Sequence, residues 1–331
     1  MKSFNAEAQR TQSKTRWEEE IIFCFFLCGS LRTLRLCVEG FLVPRGSIVT
    51  KLAVALACML AGPCIMASPQ EASFNSLDGT VLTAVVFQPM GASKGTVIAL
   101  HGCGGLYATR GARRGLLNAR HQAMADLLVA QGYSVVFPDS LTPRGELELC
   151  TQKMSTRKID QTERRADALG ALVWVASQSW AQPPRVALLG WSHGGSAVLA
   201  ATDSTRADVR GVNVSGVSVR PAVAVAFYPG CSAALRSRYQ PTAPLVLMLG
   251  EKDDWTPPGP CIELGQAVGA EVNVYADSYH DFDNPVGRVQ LRADVPNGVN
   301  PGKGVHAGPN PVAREKAYAR LLDVLKSAFS P

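Results

Sequence analysis

Short apolar runs alternate with longer stretches of helical spacing along most of the chain. The runs cover residues 96–100, 133–138, 186–190, 222–228, 245–249 and 272–275. Runs of this length and composition read as strands buried on both faces. Between them, residues 116–131 place apolar side chains at 116, 117, 124, 127 and 128 and stop at Gly132, which predicts a helix. Residues 160–177 predict a second helix, opened by Asp160 and Glu163 at capping-box spacing. A small-residue helix follows over 195–201. The last helix spans 311–328, with Ala317, Leu321, Leu322, Val324 and Leu325 on one face. Upstream, Asp78-Gly79 sits between apolar runs in 73–88 and predicts a hairpin. Two hairpin strands and six later ones, with helices interleaved, make an α/β fold: a mostly parallel eight-stranded sheet covered on both faces. Residues 284–311 hold five Gly and five Pro and read as a long loop, a lid or a surface excursion.

The first 67 residues break this pattern. Residues 21–29 are apolar but too short to span a bilayer. Lys51 is followed by an uncharged segment, 52–67, that ends on the small Ala67. A basic residue, an apolar core and a small residue form a signal-peptide pattern with cleavage after Ala67. An uncleaved anchor is the alternative. A signal peptide ordinarily starts its chain, so translation beginning near Val49 is the expectation. This divides the chain into a leader over 1–67 and one domain over 68–331, exported to the periplasm or the medium and without stable membrane association after cleavage.

Composition narrows the classes. The chain has 331 residues, 47% of them hydrophobic and 18% charged, enough for one large packed domain. The net charge of +6 divides evenly between leader and domain, so no dense basic stripe marks a nucleic-acid binder. The densest basic run is Arg110, Arg113, Arg114 and Arg120, read as a solvated helix face, with a funnel for anionic substrate as the sharper reading. Five cysteines fall in the leader. Cys103, Cys150, Cys231 and Cys261 remain, an even number that suits two disulfides in an exported domain. No CxxC pair suggests zinc, and four cysteines leave three pairings open.

The chemistry centres on Gly190-Trp191-Ser192-His193-Gly194. A buried strand runs into this G-x-S-x-G sequence and a helix leaves it, the setting of a nucleophile elbow. Ser192 is therefore the expected nucleophile. Its hydroxyl needs a base. Among the domain's histidines, His121 reads as a surface residue in mid-helix and His306 lies in the Gly/Pro loop. His101 belongs to a strand-end turn and His193 opens the helix after Ser192. His280 follows the last strand and is the expected base. The base needs an acid to fix its tautomer and stabilise its cation. Asp253 and Asp254 both follow the strand over 245–249. Asp253, three residues past Gly250 and four before Pro257, is preferred, leaving Asp254 as a solvated turn residue. The order Ser192, Asp253, His280 is that of α/β-hydrolases. An oxyanion needs backbone donors. One is expected from His193 N–H and the second from Cys103 N–H in His101-Gly102-Cys103-Gly104-Gly105, with Gly104 next in line. Cys103 is read as a disulfide partner rather than a nucleophile.

These residues, together with Asp139-Ser140, Pro143-Arg144-Gly145, Gly195, Tyr228-Pro229-Gly230-Cys231, Gly250 to Pro257, Tyr279 and Phe282, resemble the dienelactone hydrolase family over residues 75–330. The resemblance implies an α/β-hydrolase fold and hydrolysis of carboxylic esters or lactones without metal or organic cofactor. The founding members of that family use a cysteine where this chain has Ser192, so their lactone substrate does not carry over and a general ester hydrolase is implied. In that setting the cysteines are paired Cys103 with Cys150 and Cys231 with Cys261, one pair beside each half of the expected site.

The expected reaction is two-step acyl transfer on a small-molecule ester or lactone, with no nucleic-acid partner. His280 deprotonates Ser192, the acyl-enzyme forms, and water releases it by the same route. A peptidase or amidase on the same triad is one alternative, weakened by the lack of a second domain to select peptides. An exported binding protein on an inactive hydrolase scaffold is the other, weakened because no triad member is missing.

Overall fold

A computed structural model describes residues 69–330. The leader over 1–67, its cleavage point after Ala67 and its five cysteines lie outside the described residues. In chain order the elements are β1 (Gln70–Asn75), β2 (Val81–Phe87), β3 (Thr96–Leu100), α1 (Ala119–Ala130), β4 (Ser134–Asp139), α2 (Gln161–Ala176), β5 (Val186–Trp191), α3 (His193–Ala201) and α4 (Ala207–Gly211). A small ribbon follows, β6 (Asn213–Val214) with β7 (Val217–Ser218). Then come β8 (Val223–Phe227), α5 (Ser232–Arg236), β9 (Leu245–Gly250), α6 (Gly259–Val268), β10 (Glu271–Tyr275), a second ribbon of β11 (Gln290–Arg292) and β12 (Val305–Ala307), and α7 (Pro311–Ala328).

Eight strands form one sheet in the order β1-β2-β4-β3-β5-β8-β9-β10. β2 runs antiparallel to β1 and β4, and the strands from β4 to β10 are mutually parallel. This is the expected α/β-hydrolase architecture. Side chains alternate across the sheet with period two, so each central strand feeds two cores. Leu188 of β5 packs in one layer with Leu169 and Leu172 of α2 and Val198 of α3. Its neighbour Leu189 faces the other layer, with Leu128 of α1 and Leu321 and Leu325 of α7. Both leucines are fully buried. Truncating either to alanine would cost about 2–5 kcal/mol, the range for deleting a buried leucine side chain.

Helix ends follow the capping residues. Asp160 and Glu163 form the expected capping box on α2. Asn310 accepts from Ala313 N–H ahead of Pro311 and starts α7 where the periodicity placed it. The predicted helix over 116–131 is corrected at its start: Asn118 caps α1 through His121 N–H, and Gly115 upstream holds φ +81°, outside helical space. The arginine run is therefore not a helix face. Arg110, Arg113 and Arg114 lie exposed in the loop before α1, and only Arg120 lies on the helix. The turn at Asp78-Gly79 is likewise longer than two residues, since Asn75 pairs with Val81.

The 284–311 segment is also corrected. It contains β11 paired antiparallel with β12, and Val295 is fully buried within it. Gly308 N–H donates to the carbonyl of His280, so the ribbon is tied to the C-terminal edge of the sheet, where the site lies.

Candidate active site

Ser192 stands between β5 and α3 with φ +54° and ψ −116°, a conformation that non-glycine residues rarely adopt. The glycines two residues away on either side make the turn possible. A Cβ at Gly190 would strike the backbone of Gly194, and one at Gly194 would strike the carbonyls of Leu100 and His101. The turn thus packs directly on the end of β3.

The structure brings together the three side chains singled out from sequence. Ser192 Oγ lies 2.9 Å from His280 Nε2, and His280 Nδ1 lies 2.7 Å from Asp253 Oδ2. Consistent roles follow: the serine hydroxyl donates to Nε2, and Nδ1–H donates to the carboxylate. All three side chains are buried. Asp253 Oδ1 accepts the N–H groups of Trp255 and Thr256 at 2.8 and 2.9 Å, which fixes the carboxylate plane. Thr256 Oγ1 lies 3.1 Å from Asp253 Oδ2 and 2.9 Å from the Tyr228 carbonyl. The rings of Tyr228 and Trp255 stand 4.5 and 4.6 Å from the imidazole of His280 and hold it in place. Chemically, the arrangement can move a proton from the serine hydroxyl to an imidazole whose cation a buried carboxylate would stabilise.

Asp254 is not the solvated turn residue the sequence suggested. Its carboxylate accepts His306 N–H at 2.8 Å and lies 2.7 Å from His306 Nδ1, linking the turn after β9 to β12. His121 is likewise corrected. It is 1% exposed, its Nδ1–H donates to the Leu106 carbonyl, and burial with the nearby Arg120 cation lowers its pKa to about 3. Burial and the Arg164 cation also push the imidazoles of His101 and His193 well below the usual histidine range.

The expected oxyanion donors lie in the two turns beside Ser192. Cys103 lines the same cavity as Ser192 and His280, together with Gly102, Gly104, Asn118 and Arg292. The cavity holds about 90 Å³. His193 occupies the first position of α3, where backbone N–H groups have no intrahelical acceptor. Among the described residues, neither His193 N–H nor Cys103 N–H donates to a protein acceptor. The disulfides pair as expected, Cys103 with Cys150 and Cys231 with Cys261, each with Cα atoms 5.0 Å apart. The first lines the cavity.

Sequence reasoning missed several residues here. Arg120, drawn from the basic run, is largely buried, lines the cavity, and bridges Asp281 at 2.9 Å and Tyr228 Oη at 2.8 Å. Arg164 sits behind the two turns. Arg292 reaches the cavity from β11, its guanidinium 5.9 Å from the Trp255 ring. Spacing gave no signal for any of these roles, which depend on segments far apart in sequence. Among the described residues, no three His, Cys, Asp or Glu side chains cluster as metal ligands, and no helix is long and apolar enough to cross a membrane.

The model of the dienelactone hydrolase family matches residues 82–329. No curated protein matches the chain. Among solved structures, a dienelactone hydrolase-like promiscuous phosphotriesterase from metagenomic libraries superposes with a TM-score of 0.57 at 15% identity, covering 80% of this chain and 100% of its own. A thermophilic esterase from the Planctomycetes species Thermogutta terrifontis, solved with propionate bound, gives 0.53 at 14% identity, covering 80% of this chain and 96% of its own. At such identities the likeness is one of fold.

Proposed function

The chain belongs to the dienelactone hydrolase family, and from that premise, which makes it a hydrolase, we propose that it cleaves carboxylic esters or lactones through an acyl-enzyme on Ser192. The observation that carries the reading is the buried hydrogen-bonded series Ser192–His280–Asp253, with the serine on a strained turn at the edge of the sheet.

In this reading His280 Nε2 takes the hydroxyl proton as Oγ attacks the ester carbonyl. The negative charge that develops on the carbonyl oxygen is met by the N–H groups of His193 and Cys103, which need no reorganisation as the charge forms. Protonated His280 then gives its proton to the departing alkoxide, and the C–O bond breaks. Water, deprotonated by His280, attacks the acyl-enzyme and releases the acid and the free serine. Asp253 holds the Nδ1–H tautomer throughout and stabilises the imidazolium.

We assign the domain, residues 68–331, to an oxidising compartment, the periplasm or the medium. Two disulfides support this, since such bonds persist outside the reducing cytosol.

The test is active-site labelling with a fluorophosphonate, read by intact mass, beside turnover of a short p-nitrophenyl ester. A single adduct on Ser192, with turnover lost in Ser192→Ala and His280→Ala, is the expected result. Folded protein that forms no adduct and turns over no ester overturns the reading.

A further inference from the structure

Arg164 is a buried charge that the reaction as drawn does not use. It lies on α2, is 1% exposed, and forms no ion pair among the described residues. Asp167, on the same helix, is held in a two-point bridge by Arg144, with contacts of 2.7 and 3.0 Å. Asp139 turns its Oδ1 to the N–H groups of Leu141 and Thr142. A guanidinium taken out of water without a direct anionic partner is expensive to keep. What Arg164 touches instead is specific. Nη2 donates to the carbonyl of His101 at 2.8 Å, and Nη1 faces His193 Nδ1 at 3.5 Å. His101 ends at the turn that carries Cys103, and His193 directly follows Ser192.

The two turns leave the ends of the paired strands β3 and β5 and pack closely on each other. A Cβ on Gly102 would lie 3.3 Å from the Trp191 carbonyl and 3.5 Å from the Ser192 Cβ. Within the first turn, His101 continues the brace. Its Nε2 accepts Ser140 N–H, which leaves the proton on Nδ1, and Nδ1–H donates to the Gly102 carbonyl at 2.8 Å. That carbonyl belongs to the same peptide plane as Cys103 N–H, so fixing one fixes the direction of the other.

We propose that Arg164 is a positioning residue for the hydrolytic reaction: its planar fork braces the turns at 101–103 and 192–193 and so aims the two N–H groups that meet the oxyanion. The inference rests on the reading of Ser192 as nucleophile. A planar, five-donor cation suits a bridge between two turns, and a lysine, which presents one point charge, does not. Burial draws the guanidinium down to about 10, still well above neutral pH, so the brace stays charged.

The test compares wild type with Arg164→Gln and Arg164→Lys, each checked for fold by circular dichroism. The readouts are kcat and KM on a short p-nitrophenyl ester and the rate of fluorophosphonate labelling. Misaimed donors weaken binding of the transition state alone, so kcat of Arg164→Gln falls about 10²-fold while KM stays close to wild type. Labelling slows in parallel, because the phosphonyl oxygen uses the same donors. Arg164→Lys keeps the charge but not the fork and remains impaired, and it carries the test if the glutamine variant does not fold. Folded variants with wild-type kcat overturn the inference, as does full rescue by lysine, which would reduce the role to charge. A wild-type protein that takes no label overturns the reading of Ser192 instead.

Discussion

Asp253 and Asp254 are neighbours in the chain and grip different histidines. Asp253 Oδ2 lies 2.7 Å from His280 Nδ1 within the buried site, and Asp254 Oδ2 lies 2.7 Å from His306 Nδ1 on the β12 ribbon. One turn after β9 thus serves two tasks. It orients the proposed base, and it ties down the ribbon that brings Arg292 to the cavity wall.

The two aspartates therefore separate in a mutational test. Asp253→Asn leaves the shape nearly unchanged but presents an amide to Nδ1, favouring the wrong tautomer of His280. Its kcat should fall by about 10³–10⁴. Asp254→Asn leaves Asp253 and His280 alone and loosens the ribbon, so kcat holds while KM rises for esters that reach Arg292. Steady-state kinetics on both variants checks this, and equal kcat losses would mean that the turn acts as a single unit.

The disulfides should separate as well. Each closes a loop, of 47 residues for Cys103–Cys150 and 30 for Cys231–Cys261, and loop-closure entropy assigns each about 4 kcal/mol of stability. Replacing either pair by serines should lower the urea midpoint to a similar degree. Only the Cys103/Cys150 pair holds a proposed oxyanion donor, so its removal should also depress kcat, by up to about 10²-fold. Thiol reductant should act on wild type in the same sense. If kcat is retained when only Cys103–Cys150 is opened, the bond does not position the donor.

The strands, the capped helices and the three site residues were legible because each leaves a local trace. Strands β3, β5 and β9 are buried on both faces and so read as apolar runs. Asn310 and Pro311 start α7 by local chemistry. Ser192, Asp253 and His280 each follow a strand, where a doubly wound sheet presents side chains to ligand. Helix α6 was missed because Gly259, Pro260 and Gly265 weaken its helical pattern. The β11–β12 ribbon was missed because its anchors, Asp254 with His306 and Gly308 with His280, are contacts from outside the segment. Arg164, Tyr228 and Thr256 gained their roles only when distant turns met, and residue spacing carries no trace of that.

The hairpin offers a pH test away from the site. Arg144 joins Asp78 in the β1–β2 turn to Asp167 on α2. Partial burial pushes the Asp78 carboxyl up, but the Thr80 N–H and Arg144 outweigh it and bring the pKa to about 2, against an ordinary 3.8. A carboxyl depressed by folding contributes stability that is fully present above its unfolded pKa and lost as pH falls through the folded one. Wild type should therefore exceed Asp78→Asn in urea stability at neutral pH, by about 0.2–1 kcal/mol because the pair is partly exposed. The gap should close between about pH 4 and pH 2. A gap that does not change across this range would mean that the ion pair contributes nothing and that the variant acts through the turn alone.

The size of the cavity beside Ser192 bears on the acyl group. Its volume of about 90 Å³ leaves room for a small group beside the serine. The disulfide Cys103–Cys150, Trp255 and His280 bound it, and the bond between Cys103 and Cys150 stiffens that wall. A short acyl chain fits without moving the wall, whereas a long one must displace Arg292 or the ribbon that carries it. Across a p-nitrophenyl series from acetate to dodecanoate, kcat/KM should peak at the short esters and fall steeply beyond them. Arg292→Ala should flatten the fall by opening the side of the cavity that β11 covers, leaving acetate turnover near wild type. A profile that rises with chain length in the wild-type protein would instead mean that the ribbon opens during turnover, and that the wall formed by Arg292 does not limit the acyl group.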